Sequence, residues 1–230
     1  MNKVDYWKDI DVRLDDLILN GFVKLPSIEP FELDIIADGI SSEMKGATFS
    51  ELCSSHQLFL NRLGIDEILA PKLYSLAKNK LNYKGKIANQ YHVARKVDPG
   101  NSKEMYRAHF DSHLFTIVFP IKIPKSADGG SAGDLIYFPK ARNSPKNELT
   151  NFLAKAFYKR FASKKGIDKL SKKQNKIIDN FSDLQPLLFI GNTTLHTNKK
   201  VAEDCSSYRL TLLAHFFDPS PKYGIGGILR

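Results

Sequence analysis

The feature that most constrains this chain is a change of period at Gly85. Before it, apolar residues recur at helical spacing. After it come short runs rich in β-branched and aromatic residues, punctuated by Gly, Pro, Asn and Asp. On the N-terminal side the spacing predicts a helix over 6–20, with Ile10, Leu14, Leu17 and Ile18 on one side and Gly21 as the stop. A short strand over 22–25 and helices over 30–44 and 65–81 are expected next. On the C-terminal side, strands are expected at 86–97, 105–111, 114–123, 134–138, 187–190 and 208–217. Many short strands without intervening helical crossovers point to an antiparallel sandwich or barrel. One stretch, 141–182, interrupts them. Ser144-Pro145 has the pattern of an N-cap and a first-turn proline, and Phe152, Ala156, Phe157 and Phe161 recur at helical spacing up to Gly166. A second helix is expected near 168–181, which makes 141–182 a helical insertion between strands. The expected organisation is one domain over 1–230: a mainly helical support (1–84), a β core (85–218) carrying the insertion, and a C-terminal tail (219–230).

Charge is distributed unevenly. Between Lys140 and Lys176 there are twelve Lys or Arg against two acids, Glu148 and Asp168, a local balance of +10; the whole chain carries +9, so the rest nets −1. The basic character therefore belongs to the insertion and not to the fold as a whole. With 230 residues, 15 Phe and 9 Tyr, the chain can bury one sizeable core and is not disordered. Residues 1–16 lack the apolar run of a secretory leader, and the most apolar stretch, 114–123, is too short for a membrane helix and is broken by Pro120 and Lys122. Cys53 and Cys205 have no partner spacing and are expected to be ordinary thiols in a reducing compartment, which makes the cytoplasm the expected location.

The chemistry concentrates in Tyr106-Arg107-Ala108-His109-Phe110-Asp111-Ser112-His113. Residues two apart on a strand share a face, so His109 and Asp111 can reach one ion together. One imidazole and one carboxylate are two thirds of a facial metal triad that leaves three coordination positions open. The third ligand has to come from elsewhere, and His196, in Gly191-Asn-Thr-Thr-Leu-His-Thr, is the candidate. Thirteen residues later Arg209 opens a strand on which Arg209, Thr211, Leu213 and His215 share one face. A buried guanidinium there can grip a carboxylate through two parallel hydrogen bonds, and the Thr211 hydroxyl can add a third. The plain alternative is a hydrogen-bonded His–Asp pair on a sheet surface.

The order His-X-Asp, a distant His, then Arg-X-Thr resembles the Fe(II)/2-oxoglutarate-dependent oxygenases. The opening Asn20-Gly-Phe-Val-Lys-Leu-Pro is similar to the phytanoyl-CoA dioxygenase-like branch. The resemblance implies a double-stranded β-helix (jelly roll, cupin-like), mainly β, with N-terminal helices packed on one sheet. It implies His109, Asp111 and His196 as Fe(II) ligands and as the catalytic centre, and Arg209 with Thr211 as the site of the 2-oxoglutarate distal carboxylate. The expected reaction consumes O2 and releases succinate and CO2, with ascorbate as a candidate reductant. Asp111 favours hydroxylation over halogenation, which in related enzymes needs a small residue at that position. His113 also shares a face with Asp111, but ligand order in the family favours His109. Gln90, His92, His113 and His215 are candidate pocket residues, each with a core or structural role as the alternative.

Two roles are open for the insertion. Its charges can be a solvated face while the Phe stripe packs the helix on the barrel, or it can border the active-site mouth and draw in an anionic substrate. A small or carrier-linked substrate with an anionic group is expected. No stacking motif suggests nucleic acid, and nothing indicates an oligomeric state. The alternatives are a protein or peptide hydroxylase and, outside catalysis, a metal-binding jelly roll or a basic nucleic-acid-binding module.

Overall fold

Helices whose apolar stripes face a common sheet open the chain. In the computed structural model, which describes residues 3–51, 54–88, 90–102, 105–145 and 148–219, α1 (Lys3–Tyr6) leads into α2 (Ile10–Asn20). α2 buries Ile10, Leu14 and Leu17 and ends at Gly21, whose φ of 84° lets its N–H reach the Leu17 carbonyl at 2.8 Å. α3 (Pro30–Met44) starts on a proline, which has no N–H to leave unpaired, and buries Leu33, Ile36, Ala37, Ile40 and Met44. α4 (Ser54–Leu63) and α5 (Ala70–Leu81) are joined by one π-type turn, Ile65–Leu69. Sequence periodicity misses α4 because a buried histidine, His56, interrupts its stripe of Phe59, Leu60 and Leu63. It also merges the π-turn with α5, which share one apolar pattern.

Among the described residues nine strands follow or interleave: β1 (Phe22–Lys24), β2 (Phe49–Ser50), β3 (Gln90–Val97), β4 (Phe115–Lys122), β5 (Leu135–Phe138), β6 (Ile177–Asp179), β7 (Leu187–Ile190), β8 (Leu195–Asn198) and β9 (Arg209–Phe216). They form two antiparallel sheets, ordered β1-β7-β4-β9-β3-β2 and β6-β5-β8. This is the expected double-stranded β-helix. Between β5 and β6 lie α6 (Glu148–Lys159) and α7 (Lys164–Ser171).

Alternation along the strands divides the core into layers. Phe115, Ile117, Phe119 and Ile121 of β4, with Leu210, Leu212 and Ala214 of β9, face the N-terminal helices. Val118, Leu187 and Phe189 face the small sheet, where they meet Leu135 and Tyr137. β4 lies between these two layers, so it is buried on both faces and reads as a continuous apolar run. Phe119 stands edge-on to Phe59 of α4, with centroids 5.5 Å apart, and Phe119→Ala would cost about 3–5 kcal/mol through the void it leaves. The back of the small sheet (Ile136, Phe138, Leu195) is covered by Phe161, Ile167 and Leu170 of the insertion.

Two expectations are corrected. The stretch 105–111 is not a continuous strand. It touches β8 only at isolated bridges, Met105 with Asn198 and His109 with His196, because Tyr106 takes a left-handed φ of 53° and turns the chain out of the ladder. The second insertion helix ends at Ser171, and 177–179 is β6, paired with β5. Cys53 and residues 220–230 of the tail lie outside the described residues, as do 146–147 of the expected insertion; the Ser144 hydroxyl accepts a hydrogen bond from Asn192 at 3.0 Å. Cys205 is a buried free thiol. Among the described residues no helix is long and apolar enough to cross a membrane.

Candidate metal centre

The distant histidine is delivered by one two-bond bridge. His109 N–H donates to the His196 carbonyl at 3.1 Å, and His196 N–H returns the bond to the His109 carbonyl at 3.0 Å. Directly opposed residues of such a pair hold their side chains side by side, and the two rings lie 4.3 Å apart. Asp111, two residues on, donates its N–H to the Gly191 carbonyl at 3.2 Å. Gly191 has to be glycine here, since an added Cβ would lie 2.8 Å from Thr116 Oγ1 and 3.0 Å from Asp111 Cβ.

Donor atoms of His109, Asp111 and His196 all lie within 4.8 Å of one another. Hydrogen bonding between the three does not explain the arrangement. Asp111 Oδ1 is 3.7 Å from His109 Nε2 and 3.6 Å from His196 Nε2, beyond hydrogen-bond range. Each Nδ1 instead faces a backbone carbonyl, Arg107 O at 2.7 Å for His109 and Thr194 O at 3.2 Å for His196. A carbonyl can only accept, so each Nδ1 carries a proton, and in the neutral imidazole each Nε2 turns a lone pair toward the carboxylate. Three lone pairs converging on one point repel one another unless a cation lies between them. The donor set fits a divalent metal ion, and no hydrogen bond between the three side chains accounts for their convergence.

A second set of contacts orients the carboxylate. Thr116 Oγ1 donates to Asp111 Oδ2 at 2.5 Å and lies 3.0 Å from His215 Nδ1. Because the threonine proton goes to the carboxylate, His215 Nδ1–H donates to Thr116, and Oδ1 of Asp111 stays free for the metal. Burial alone would raise the Asp111 carboxyl. The facing His196, His215 and His109 rings and the Thr116 hydroxyl outweigh it and hold the group well below the usual carboxylate range. Burial lowers His215, with Asp111 pulling the other way. Burial and the adjacent His196 also lower His109; its side chain is 52 % exposed, so solvent moderates that push, but its direction favours the neutral ligand form.

The site lies in a cavity of about 720 Å³ between the sheets. Arg209, 3 % exposed, lines it together with Thr211, Leu213, His215, Thr116 and Val118. Desolvation, and then the charge of Arg95, lower the Arg209 guanidinium to about 10, while Asp134 and Asp179 pull it up. Neither acid bonds it: Asp134 is paired with Lys199 at 2.9 Å and Asp179 with Lys24 at 2.6 Å. Among the described residues no carboxylate or hydrogen-bond acceptor engages Arg209. A buried cation left this way is costly, so an anion in the cavity is its natural partner.

Of the other residues expected to line the pocket, His215 does. Gln90 and His92 do not: on β3 the cavity face carries Tyr91, Val93 and Arg95, and the alternate residues turn to the helical layer, where His92 meets Phe216 at 5.6 Å. His113 lies behind the site, stacked on His215 at 5.1 Å and on Tyr91 at 6.0 Å. The sequence pattern does not select Thr116, and it gives Arg95 no role beyond facing the side opposite His92. Thr116 had a usable signal, a lone hydroxyl in the apolar run Phe115-Thr-Ile-Val-Phe, whereas Arg95 had none. The insertion reaches the cavity through Lys155, Tyr158, Lys159 and Ala162. Its aromatic residues divide: Phe161 packs on the small sheet, but Phe152 and Phe157 are exposed and do not serve as the expected packing stripe.

No protein-family model and no curated protein sequence matches this chain. Its fold is shared with solved structures. A prolyl-4-hydroxylase from Pseudomonas putida is 12 % identical with a TM-score of 0.54, over 90 % of this chain and 93 % of that one. SnoK, a non-heme alpha-ketoglutarate-dependent carbocyclase of nogalamycin biosynthesis, is 12 % identical with a TM-score of 0.54, over 90 % and 83 %. HygX from Streptomyces hygroscopicus, solved with iron bound, is 12 % identical with a TM-score of 0.53, over 90 % and 85 %. The likeness is one of fold.

Proposed function

We propose that this protein is an Fe(II)/2-oxoglutarate-dependent oxygenase, most similar in pattern to the phytanoyl-CoA dioxygenase-like branch and acting as a hydroxylase. The observation that carries this reading is the pairing, in one cavity, of three converging metal donors with a buried guanidinium that no acidic residue among the described ones engages. His109, Asp111 and His196 would hold the iron. Arg209, with the Thr211 hydroxyl beside it, would grip the distal carboxylate of 2-oxoglutarate. The chemistry that the bound metal and cosubstrate supply is oxidative decarboxylation of 2-oxoglutarate to succinate and CO2, coupled to insertion of oxygen into a substrate.

The chain's own residues do the positioning. Thr116 holds one oxygen of Asp111 and leaves the other for the metal that the site would hold, and His215 holds Thr116. Val118, Leu135 and Leu213 keep part of the cavity wall apolar, which strengthens the grip of Arg209 on an anion. Arg95, Arg107, Lys155 and Lys159 also line the cavity, and this ring of cations supports a substrate with an anionic group, small or carrier-linked. A non-catalytic basic module would have no use for Arg209, which lies inside the fold and not on its surface.

The test is anaerobic addition of Fe(II) and 2-oxoglutarate to the purified protein. The visible charge-transfer band of the chelate is expected, and its absence at saturating metal would reject the proposal. Turnover of 2-oxoglutarate with small acids against peptides then separates a metabolite hydroxylase from a protein hydroxylase.

A further inference from the structure

α6 is held by one side only. Tyr158 packs edge-on against Phe110 at 5.0 Å and donates its hydroxyl to the Ala141 carbonyl at 2.5 Å, and Phe161 just beyond the helix is buried against the small sheet. Leu149, Phe152, Leu153 and Phe157 follow the spacing of a single helical face, and that face is turned outward. They are 66, 57, 56 and 49 % exposed. Single exposed apolar side chains are ordinary, but four together on one twelve-residue helix call for an occupant.

The surrounding charge narrows the choice of occupant. The segment 140–176 carries twelve cations and two acids. Of these cations Lys164, Lys165, Lys169, Lys172 and Lys173 are exposed on α7 and the turn after it, and the Arg160 guanidinium lies 3.5 Å over the exposed Phe157 ring. A second copy would set this strongly basic segment against its own like charge, so symmetric self-association is disfavoured. A nucleic acid would use the cations and find Phe152 and Phe157 to stack on, but it would leave Leu149 and Leu153, equally exposed on the same face, uncovered. An anionic bilayer uses both properties: the apolar side chains enter the boundary between headgroups and acyl chains, and the cations meet lipid phosphates.

We infer that α6, with the basic residues following it, docks this protein on an anionic lipid surface. Because Lys155, Tyr158, Lys159 and Ala162 of the same segment line the cavity, docking would bring the cavity wall that α6 forms near the membrane. The inference rests on exposure and charge and stands apart from the oxygenase proposal.

It is tested by co-sedimentation of the full chain with phosphatidylcholine vesicles, with and without phosphatidylglycerol. Binding only to the phosphatidylglycerol vesicles, weakened by salt, is expected. Leu149→Glu with Phe152→Glu should lower partitioning by about tenfold or more without changing thermal unfolding, since both side chains are exposed. Lys164→Glu with Lys165→Glu should lower it by about fivefold for each lysine. Three results would overturn the inference. One is failure to bind the anionic vesicles, or binding indifferent to the apolar pair. Another is RNA binding that survives the apolar substitutions when vesicle binding is absent. The third is a dimer in sedimentation velocity that the apolar substitutions dissociate.

Discussion

Consider Arg209→Met, which replaces a guanidinium by an apolar chain of similar length in a site only 3 % exposed. Lowering this cation from its ordinary value to about 10 corresponds to roughly 3 kcal/mol against folding, at about 1.4 kcal/mol per pH unit. Both folded and unfolded chains carry the charge below pH 10, so the cost is present in full at pH 7. Solvent in the cavity screens part of it, leaving about 1–3 kcal/mol. The metal-free, ligand-free variant should therefore melt higher than the parent, by about 3–10 °C for a domain of this size. Saturating Fe(II) and 2-oxoglutarate, added anaerobically, should stabilise the parent by about 2.7 kcal/mol at a hundredfold excess over Kd. The variant should gain only what the metal alone contributes. Differential scanning calorimetry on both proteins, with and without 2-oxoglutarate, measures all four states. If the ligand-free variant melts lower by a similar margin, the guanidinium has a structural role and the reasoning fails. It fails equally if the variant keeps the 2-oxoglutarate-dependent rise.

His196→Ala should abolish stoichiometric Fe(II) binding while Arg209→Met leaves it intact; metal analysis after desalting separates them, and normal iron content in the alanine variant would refute the ligand assignment. Thr116→Val keeps the shape of the side chain but frees the Asp111 carboxylate, so metal affinity should fall by about 10- to 100-fold in a chelator competition and return in Thr116→Ser. Gly191→Ala should weaken metal binding comparably, because its Cβ would push on Thr116 and Asp111 at once. Stability should also fall in mild acid. Burial, reinforced by His56 and His113, pushes His92 down to about 4, and burial lowers His56, with Glu43 opposing. The unfolded chain takes up the His92 proton below about pH 6.5 and the folded one resists until about pH 4. The contribution is thus intact above pH 6.5 and is lost as pH falls toward 4, on the order of 2–3 kcal/mol for His92. Urea titrations across this range should show a shallower decline in His92→Gln, and identical slopes would count against the assignment.

Much of this protein is legible from local pattern. The switch of period at Gly85 announces helices followed by an antiparallel β fold, because apolar spacing directly reports which faces are covered. Pro30–Met44 matches its expected bounds for that reason, with a proline start and a five-residue apolar stripe. His109, Asp111, His196 and Arg209 stand out because a triad with its anchoring arginine has an order along the chain. Legibility fails where tertiary contacts override period. α4 escapes notice because its stripe includes His56, a residue acceptable there only through what packs around it. β6 lies where a longer helix was expected, because pairing with Leu135–Phe138 outweighs the helical pattern.

What the sequence by itself determined was the inventory: which residues can bind metal, which cation can hold an acid, and where the excess charge resides. Only the tertiary structure decided the directions. Alternation on β3 sends Tyr91 and Arg95 inward and Gln90 and His92 toward the helices, and a one-residue slip would reverse both. The single bridge between His109 and His196 sets two distant imidazoles side by side, and the carbonyls of Arg107 and Thr194 turn their lone pairs to the same point. Register and backbone polarity are properties of paired segments, so neither is written in one segment alone.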